Sequence, residues 1–211
     1  MLIHSAAQVL TLAGGPQRGA QLGDLGIIPN GAVLIREGRI VEVGDSSDLL
    51  AKYPDEDRQD ATGQVVMPGF VYPHTHVVWA GDRATEFEMR LAGKTYLEIL
   101  QAGGGILSTV QATRAASIEE LKQVTRVRLK RMLQYGTTTL EAKTGYGLDL
   151  ETELRMLDAL LELDEEGPWD IAFTFLAAHA VPPEYKDNAD GYVDQIVNEM
   201  LPGLKAHWES A

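Results

Sequence analysis

The feature that most constrains this chain is a junction near its middle. "SIEELKQVTRVRLKRMLQYG", residues 117–136, carries Ser117 and Glu120 in capping-box spacing at its start and Gly136 at its end, which predicts a helix. "TTTLEAKTGYG" follows at once as a β-branched strand with a glycine-rich exit. The alternation then repeats. "DLETELRMLDALLELDEEGP" predicts a second amphipathic helix with Leu150, Leu154, Leu157 and Leu161 on one face and Gly167-Pro168 as terminator. "WDIAFTFLAAHAVPP" reads as a buried strand, and "ADGYVDQIVNEMLPGLKAHW" as a third helix. Helices alternating with near-continuous apolar strands predict an α/β fold with a parallel sheet, either doubly wound or a (β/α) barrel.

Residues 1–66 have a different character. "AAQVLTLAG" is β-compatible, "PNGAVLIREGRIVEVGD" predicts a hairpin turning at Glu37 and Gly38, "DSSDLLAKYP" a short helix, and "GQVVMPGF" a third extended piece. The expected organisation is a small β module over 1–66 and an α/β domain over 67–211.

Polar residues settle at the predicted strand ends: His74 and His76 after "GFVYP", Lys143 and Tyr146 after "TTTLEA", His179 after "FTFLAA". In a (β/α) barrel such positions surround one active-site mouth. A closed barrel takes eight strands in about 250 residues, and only three are counted here. Either the sheet is open or the chain is incomplete.

Composition narrows the function classes. A formal charge of -13 argues against a phosphate-tracking nucleic-acid surface. With no cysteine, there is no disulfide framework, no thiol nucleophile and no Cys-based zinc site, so a metal must use His and carboxylate ligands. The start "MLIHSAAQVLTLAGG" lacks the positive region of a secretory signal, and no apolar run approaches the 18 or more residues of a membrane span. A cytoplasmic protein with no membrane partner is expected.

His74 and His76 are two residues apart on an extended segment, so both imidazoles can share a face and converge on one ion. The competing reading is a hydrogen-bonded or surface pair, and two ligands are too few for a catalytic site. Arg83 in "AGDR" is either a loop arginine paired with Asp82 or Glu86 or a guanidinium fork for a substrate carboxylate. His179 could equally be a satisfied core histidine, and Tyr146 in "TGYGL" a turn tyrosine packed on a neighbouring helix. "AGGGIL", residues 102–107, lacks a P-loop lysine and reads as a flexible loop. Lys143 is taken as structural, and His4 and His207 as uninvolved in chemistry.

Taken together, "PGFVYPHTHVVWAGDR", "YLEILQAGGGILSTVQATR", "EAKTGYGLDLETELRML" and "FLAAHAVPPEY" resemble the imidazolonepropionases of the metal-dependent amidohydrolase superfamily, in their N-terminal portion. The "PGF…HTH" element belongs to the whole superfamily, and the other blocks are narrower. The resemblance implies an incomplete TIM-like (β/α) barrel of amidohydrolase type preceded by a small β-sandwich module. It also implies hydrolysis of the cyclic amide of 4-imidazolone-5-propanoate to N-formimidoyl-L-glutamate, in histidine degradation. His74 and His76 would be ligands of one zinc or iron (Fe3+) ion, and Arg83, Tyr146 and His179 would contact the small anionic substrate. His179 would be catalytic through a hydrogen bond to the developing oxyanion. A homodimer of the full-length enzyme is compatible with the family. Two departures are expected to matter. Tyr72 stands where the family usually has Asp, and the remaining His and Asp ligands would lie beyond residue 211. The alternatives are another amidohydrolase, such as a nucleobase-type deaminase, or an inactive fragment.

Overall fold

The structure, a computed structural model, describes residues 1–210, apart from the side chains of Gln21, Leu100 and Gln101. Backbone contacts divide the chain into two compact units, Met1–Gly69 and Phe70–Ala211.

The first unit is a five-stranded sheet. Strands β1 (Leu2–Leu10), β2 (Ile27–Arg36) and β3 (Arg39–Asp45) pair antiparallel in sequence order. Helix α1 (Ser46–Lys52) starts at Asp45, whose carboxylate accepts the Ser47 and Asp48 amides. Strands β4 (Arg58–Asp60) and β5 (Val65–Val66) then return parallel to the two halves of β1. The β2–β3 turn falls on Glu37 and Gly38, with φ of 50° and 72°. Positive φ at both central residues gives the twist that a two-residue hairpin needs. A register shift in β1 between Ile3 and Ala6 coincides with a left-handed Ser5, φ 59°, a bulge that re-aims side chains between the two faces. Leu2, Leu34 and Leu49 then pack in one cluster, while Ala6, Val9 and Val33 pack in another.

In the second unit, β6 (Phe70–Thr75) is followed by α2 (Ala84–Leu91), α3 (Tyr96–Gln101), α4 (Ile106–Ala115) and α5 (Ile118–Gln134). Next come β7 (Thr137–Lys143), α6 (Leu150–Glu166), β8 (Asp170–Thr174), α7 (Ala189–Gln195) and α8 (Leu201–Ser210). The three strands form a parallel sheet in the order β6-β7-β8. Helix α5 has both halves of its capping box, with the Ser117 side chain accepting from the Glu120 amide and the Glu120 carboxylate accepting from the Ser117 amide. Leu121 and Leu129 of α5 and Met156, Leu160 and Leu163 of α6 bury against Leu140 and Ala142 of β7. No helix of the described residues is long and apolar enough to cross a membrane.

Three local expectations are corrected. The buried face of α6 carries Glu153, Met156, Leu157, Leu160 and Leu163, while Leu150, Leu154 and Leu161 are only partly buried. A buried glutamate sits on the inner stripe, which a hydrophobicity pattern cannot anticipate. Residues 102–107 are not wholly a loop, because Gly105 at φ 83° opens α4 at Ile106. The third helix is not uniform either. Residues Ile196–Met200 form a π turn before Pro202. Proline has no N–H to give to the preceding turn, and widening the helix there relieves its clash with the carbonyl behind it.

Candidate active site

The carboxyl ends of the three parallel strands gather four aromatic rings. The rings of His74 and His76 lie 6.0 Å apart between centroids, edge to face. His76 is 4.4 Å from His179 and 5.1 Å from Tyr146, and Tyr146 is 5.5 Å from His179. Sequence separations of up to 105 residues are thus closed by the sheet, one strand end for each part of the cluster. His74 comes from β6 and His76 from just past its end, Tyr146 from the loop after β7, and His179 from the turn after β8.

Each ring is aimed by its own local device. The pairing of β6 with β7 slips by one residue between Tyr72 and Thr75, across Pro73, which has no amide to give to the ladder. Beyond the strand end, Arg128 of α5 donates to the carbonyls of Val77 (2.8 Å) and Trp79 (2.7 Å), and its guanidinium lies 3.7 Å over the Trp79 ring. The loop with Tyr146 has Gly145 at φ 110° and Leu148 at φ 59°. A Cβ on Gly145 would come within 2.8 Å of the Cβ of His179 and 2.9 Å of the Leu176 carbonyl oxygen, so only glycine lets the two loops meet this closely. The buried hydroxyl of Tyr192 ties the same loops together, 2.7 Å from the Ala177 carbonyl and 3.2 Å from that of Leu148.

The electrostatics favour neutral imidazoles. Burial, then the nearby His179, depress the His76 pKa from 6.5 to about 4. His179 is lowered chiefly by burial, against an opposing pull from Glu153. The Nδ1 of His76 is buried without a hydrogen-bond partner among the described residues. A neutral imidazole with an unpaired buried nitrogen suits a cation, since the free lone pair is what a metal requires. His76 therefore fits a metal ligand, and His74 can supply a second. No group of three or more His, Cys, Asp or Glu side chains is arranged to hold an ion among the described residues.

The other predicted residues are placed differently. Arg83 has no hydrogen bond, ion pair or ring contact to the four rings among the described residues. Its Nε donates to Thr109 Oγ1 at 3.0 Å and lies 3.9 Å from Glu86, where the side chain is 40% exposed. Tyr72 is half exposed on β6. Lys143 pairs with Glu141, which also accepts from Thr174, and together they hold the Glu141 carboxyl below its usual range. His4 meets Ser5 and His207 meets Asp158. Sequence reading missed Glu153, Arg114 and Arg128, which fix the loops. Glu153 takes three backbone amides, Arg128 two backbone carbonyls and Arg114 one, and such partners are not visible in one sequence.

Solved hydrolases share this fold. Atrazine chlorohydrolase from Arthrobacter aurescens TC1, solved with zinc, superposes with a TM-score of 0.52 at 16% identity, covering 82% of this chain and 35% of that one. A triazine hydrolase variant gives the same score at 18% identity, with the same coverage of both chains. By sequence the resemblance is to imidazolonepropionases. The chain is 52% identical over 210 residues to the imidazolonepropionase of Chloroflexus aggregans, covering 99% of this chain and 49% of that protein. It is 49% identical over 209 residues to that of Symbiobacterium thermophilum, with coverage of 98% and 49%. The bacterial imidazolonepropionase-like composite domain matches residues 31–55. The chain spans about half the length of the curated relatives it matches.

Proposed function

We propose that this chain is the N-terminal portion of an imidazolonepropionase, which opens the cyclic amide of 4-imidazolone-5-propanoate by hydrolysis to N-formimidoyl-L-glutamate. The observation that carries the reading is the ring cluster of His74, His76, Tyr146 and His179 at the ends of three parallel strands, in a chain about half identical to proteins of that name. On this reading residues 1–66 are part of a β-sandwich module, and residues 67–211 are the first strands and helices of a (β/α) barrel that later strands complete.

His74 and His76 would hold one zinc or iron ion, with the other ligands supplied outside this chain. When bound, such an ion would lower the pKa of its water toward 7 and so supply a nucleophile for a ring carbonyl at neutral pH. His179 faces His76 and, with its proton on the outward nitrogen, donates a hydrogen bond to the carbonyl oxygen as charge develops there. Tyr146 lies against both rings and orients the imidazolone edge through its phenol. Arg83 is the cation for the propanoate, which requires its fork to exchange Glu86 for the substrate carboxylate. Zinc in the atrazine chlorohydrolase supports a metal of this class without deciding between zinc and iron. A cytoplasmic location and a homodimer of the complete enzyme go with this reading.

The test is to express the reading frame through whatever follows residue 211 and to follow loss of imidazolone absorbance. Turnover that disappears in His74→Ala and His76→Ala supports the proposal. Ammonia release from nucleobases with an inert imidazolone would replace it with the deaminase reading, and no activity toward either would leave an inactive fragment.

A further inference from the structure

We propose that Glu153 is a positioning residue whose carboxylate, clamped on the loop of residues 144–148, fixes Tyr146 against His76 and His179. This rests on the reading of those three residues as a substrate site. Glu153 is fully buried, on the first turns of α6. Its Oε2 accepts the Gly145 amide at 2.8 Å, and its Oε1 accepts the amides of Gly147 at 2.7 Å and Leu148 at 2.8 Å. Gly145 and Gly147 are the two neighbours of Tyr146, so one side chain pins the backbone on both sides of the phenol. The third bond goes to Leu148, whose left-handed backbone at φ 59° persists only where its surroundings hold it.

A capping role does not account for Glu153. Asp149 already caps α6, accepting the Thr152 amide at 2.8 Å and the Thr152 hydroxyl at 3.1 Å. Nor does core filling, since a buried carboxylate is costly and an apolar residue would pack there more cheaply. What an apolar residue cannot do is gather three amides of a loop with two left-handed residues. From the other side, Arg114 donates to the Gly147 carbonyl at 2.6 Å and pairs with Asp149 and Glu184. The peptide between Gly147 and Leu148 is therefore held at both ends of its dipole, its carbonyl by Arg114 and its amide by Glu153. Glu153→Gln is nearly isosteric but replaces one acceptor oxygen with an NH2 group, which faces an amide donor.

The experiment uses the 211-residue chain in solution. Amide hydrogen exchange is read at Gly145, Gly147 and Leu148, with Leu140 and Ala142 of β7 as internal controls, together with ring-to-ring NOEs from Tyr146 to His76 and His179. Glu153→Gln is expected to raise exchange at the loop amides at least about tenfold, leave β7 protected, and weaken both NOEs. Glu153→Asp, one methylene shorter, should fall between wild type and Gln. Protection and NOEs kept in Glu153→Gln would overturn the proposal. So would an equal loss at β7 and in the loop, which marks a general loss of stability; if Gln unfolds the chain, the same two readings on Glu153→Asp decide. Binding of 3-(imidazol-4-yl)propanoate is measured separately, on the wild-type reading frame expressed through whatever follows residue 211. Its absence counts against the substrate reading, while the exchange and NOE results still judge the clamp.

Discussion

His76 meets several demands at once. Its ring is packed against His179 and Tyr146, and its unpaired nitrogen is usable only while the ring is neutral. The shift from 6.5 to about 4 has a thermodynamic consequence. Below pH 6.5 the unfolded chain takes up a proton that the folded chain refuses, so stability present above pH 6.5 falls as pH drops toward 4. Urea unfolding of the chain in chelator is expected to show a lower midpoint at pH 5 than at pH 7, with a smaller drop in His76→Gln. Equal drops in both proteins would refute the assignment. Arg128 acts at the same scale. Arg128→Met removes two hydrogen bonds to backbone carbonyls and the contact with Trp79, and is expected to cost about 2 kcal/mol in the same assay at pH 7.

The elements were legible wherever their signals were local. Ser117 and Glu120 reveal the start of α5 because the capping box is a contact between residues three apart. Ser117→Ala is expected to cost about 1 kcal/mol, measured by chemical denaturation, and an unchanged midpoint would show that the box contributes nothing. Glu37-Gly38 reveals the hairpin for the same reason. The face of α6 was not legible. A pattern of leucines selects Leu150, Leu154, Leu157 and Leu161, yet the helix turns Glu153 inward because three amides wait for it there. Gly145 belongs to this scale too. Gly145→Ala would press a methyl on His179 in a backbone conformation that L-residues avoid, and is expected to cost about 2 kcal/mol or more by the same measurement.

Across the whole molecule, the parallel sheet ends at β6 and β8 among the described residues. β6 leaves Phe70, Val71 and Tyr72 at 53%, 66% and 50% exposure. An apolar strand edge of this kind recruits further chains. Sedimentation of the 211-residue chain is expected to show association that grows with concentration, and Val71→Lys should reduce it. A monodisperse monomer at high concentration would contradict this expectation.

The sequence by itself determined the alternation of strands and helices, the helix that begins at Ser117, the hairpin turn and the family resemblance. All of these rest on residues close together in the chain or on motifs read in order. It also marked His74, His76, Tyr146 and His179 as candidates, because each follows an apolar strand. Only the tertiary structure decided which of them meet. Register between parallel strands brings His76, Tyr146 and His179 within 5.5 Å of one another, with His74 6.0 Å from His76, and Arg83 is held apart by Thr109 and Glu86. The same packing turned Glu153 into the clamp of the Tyr146 loop. Its role depends on amides that face it only once α6 is docked, and no spacing along the chain encodes that.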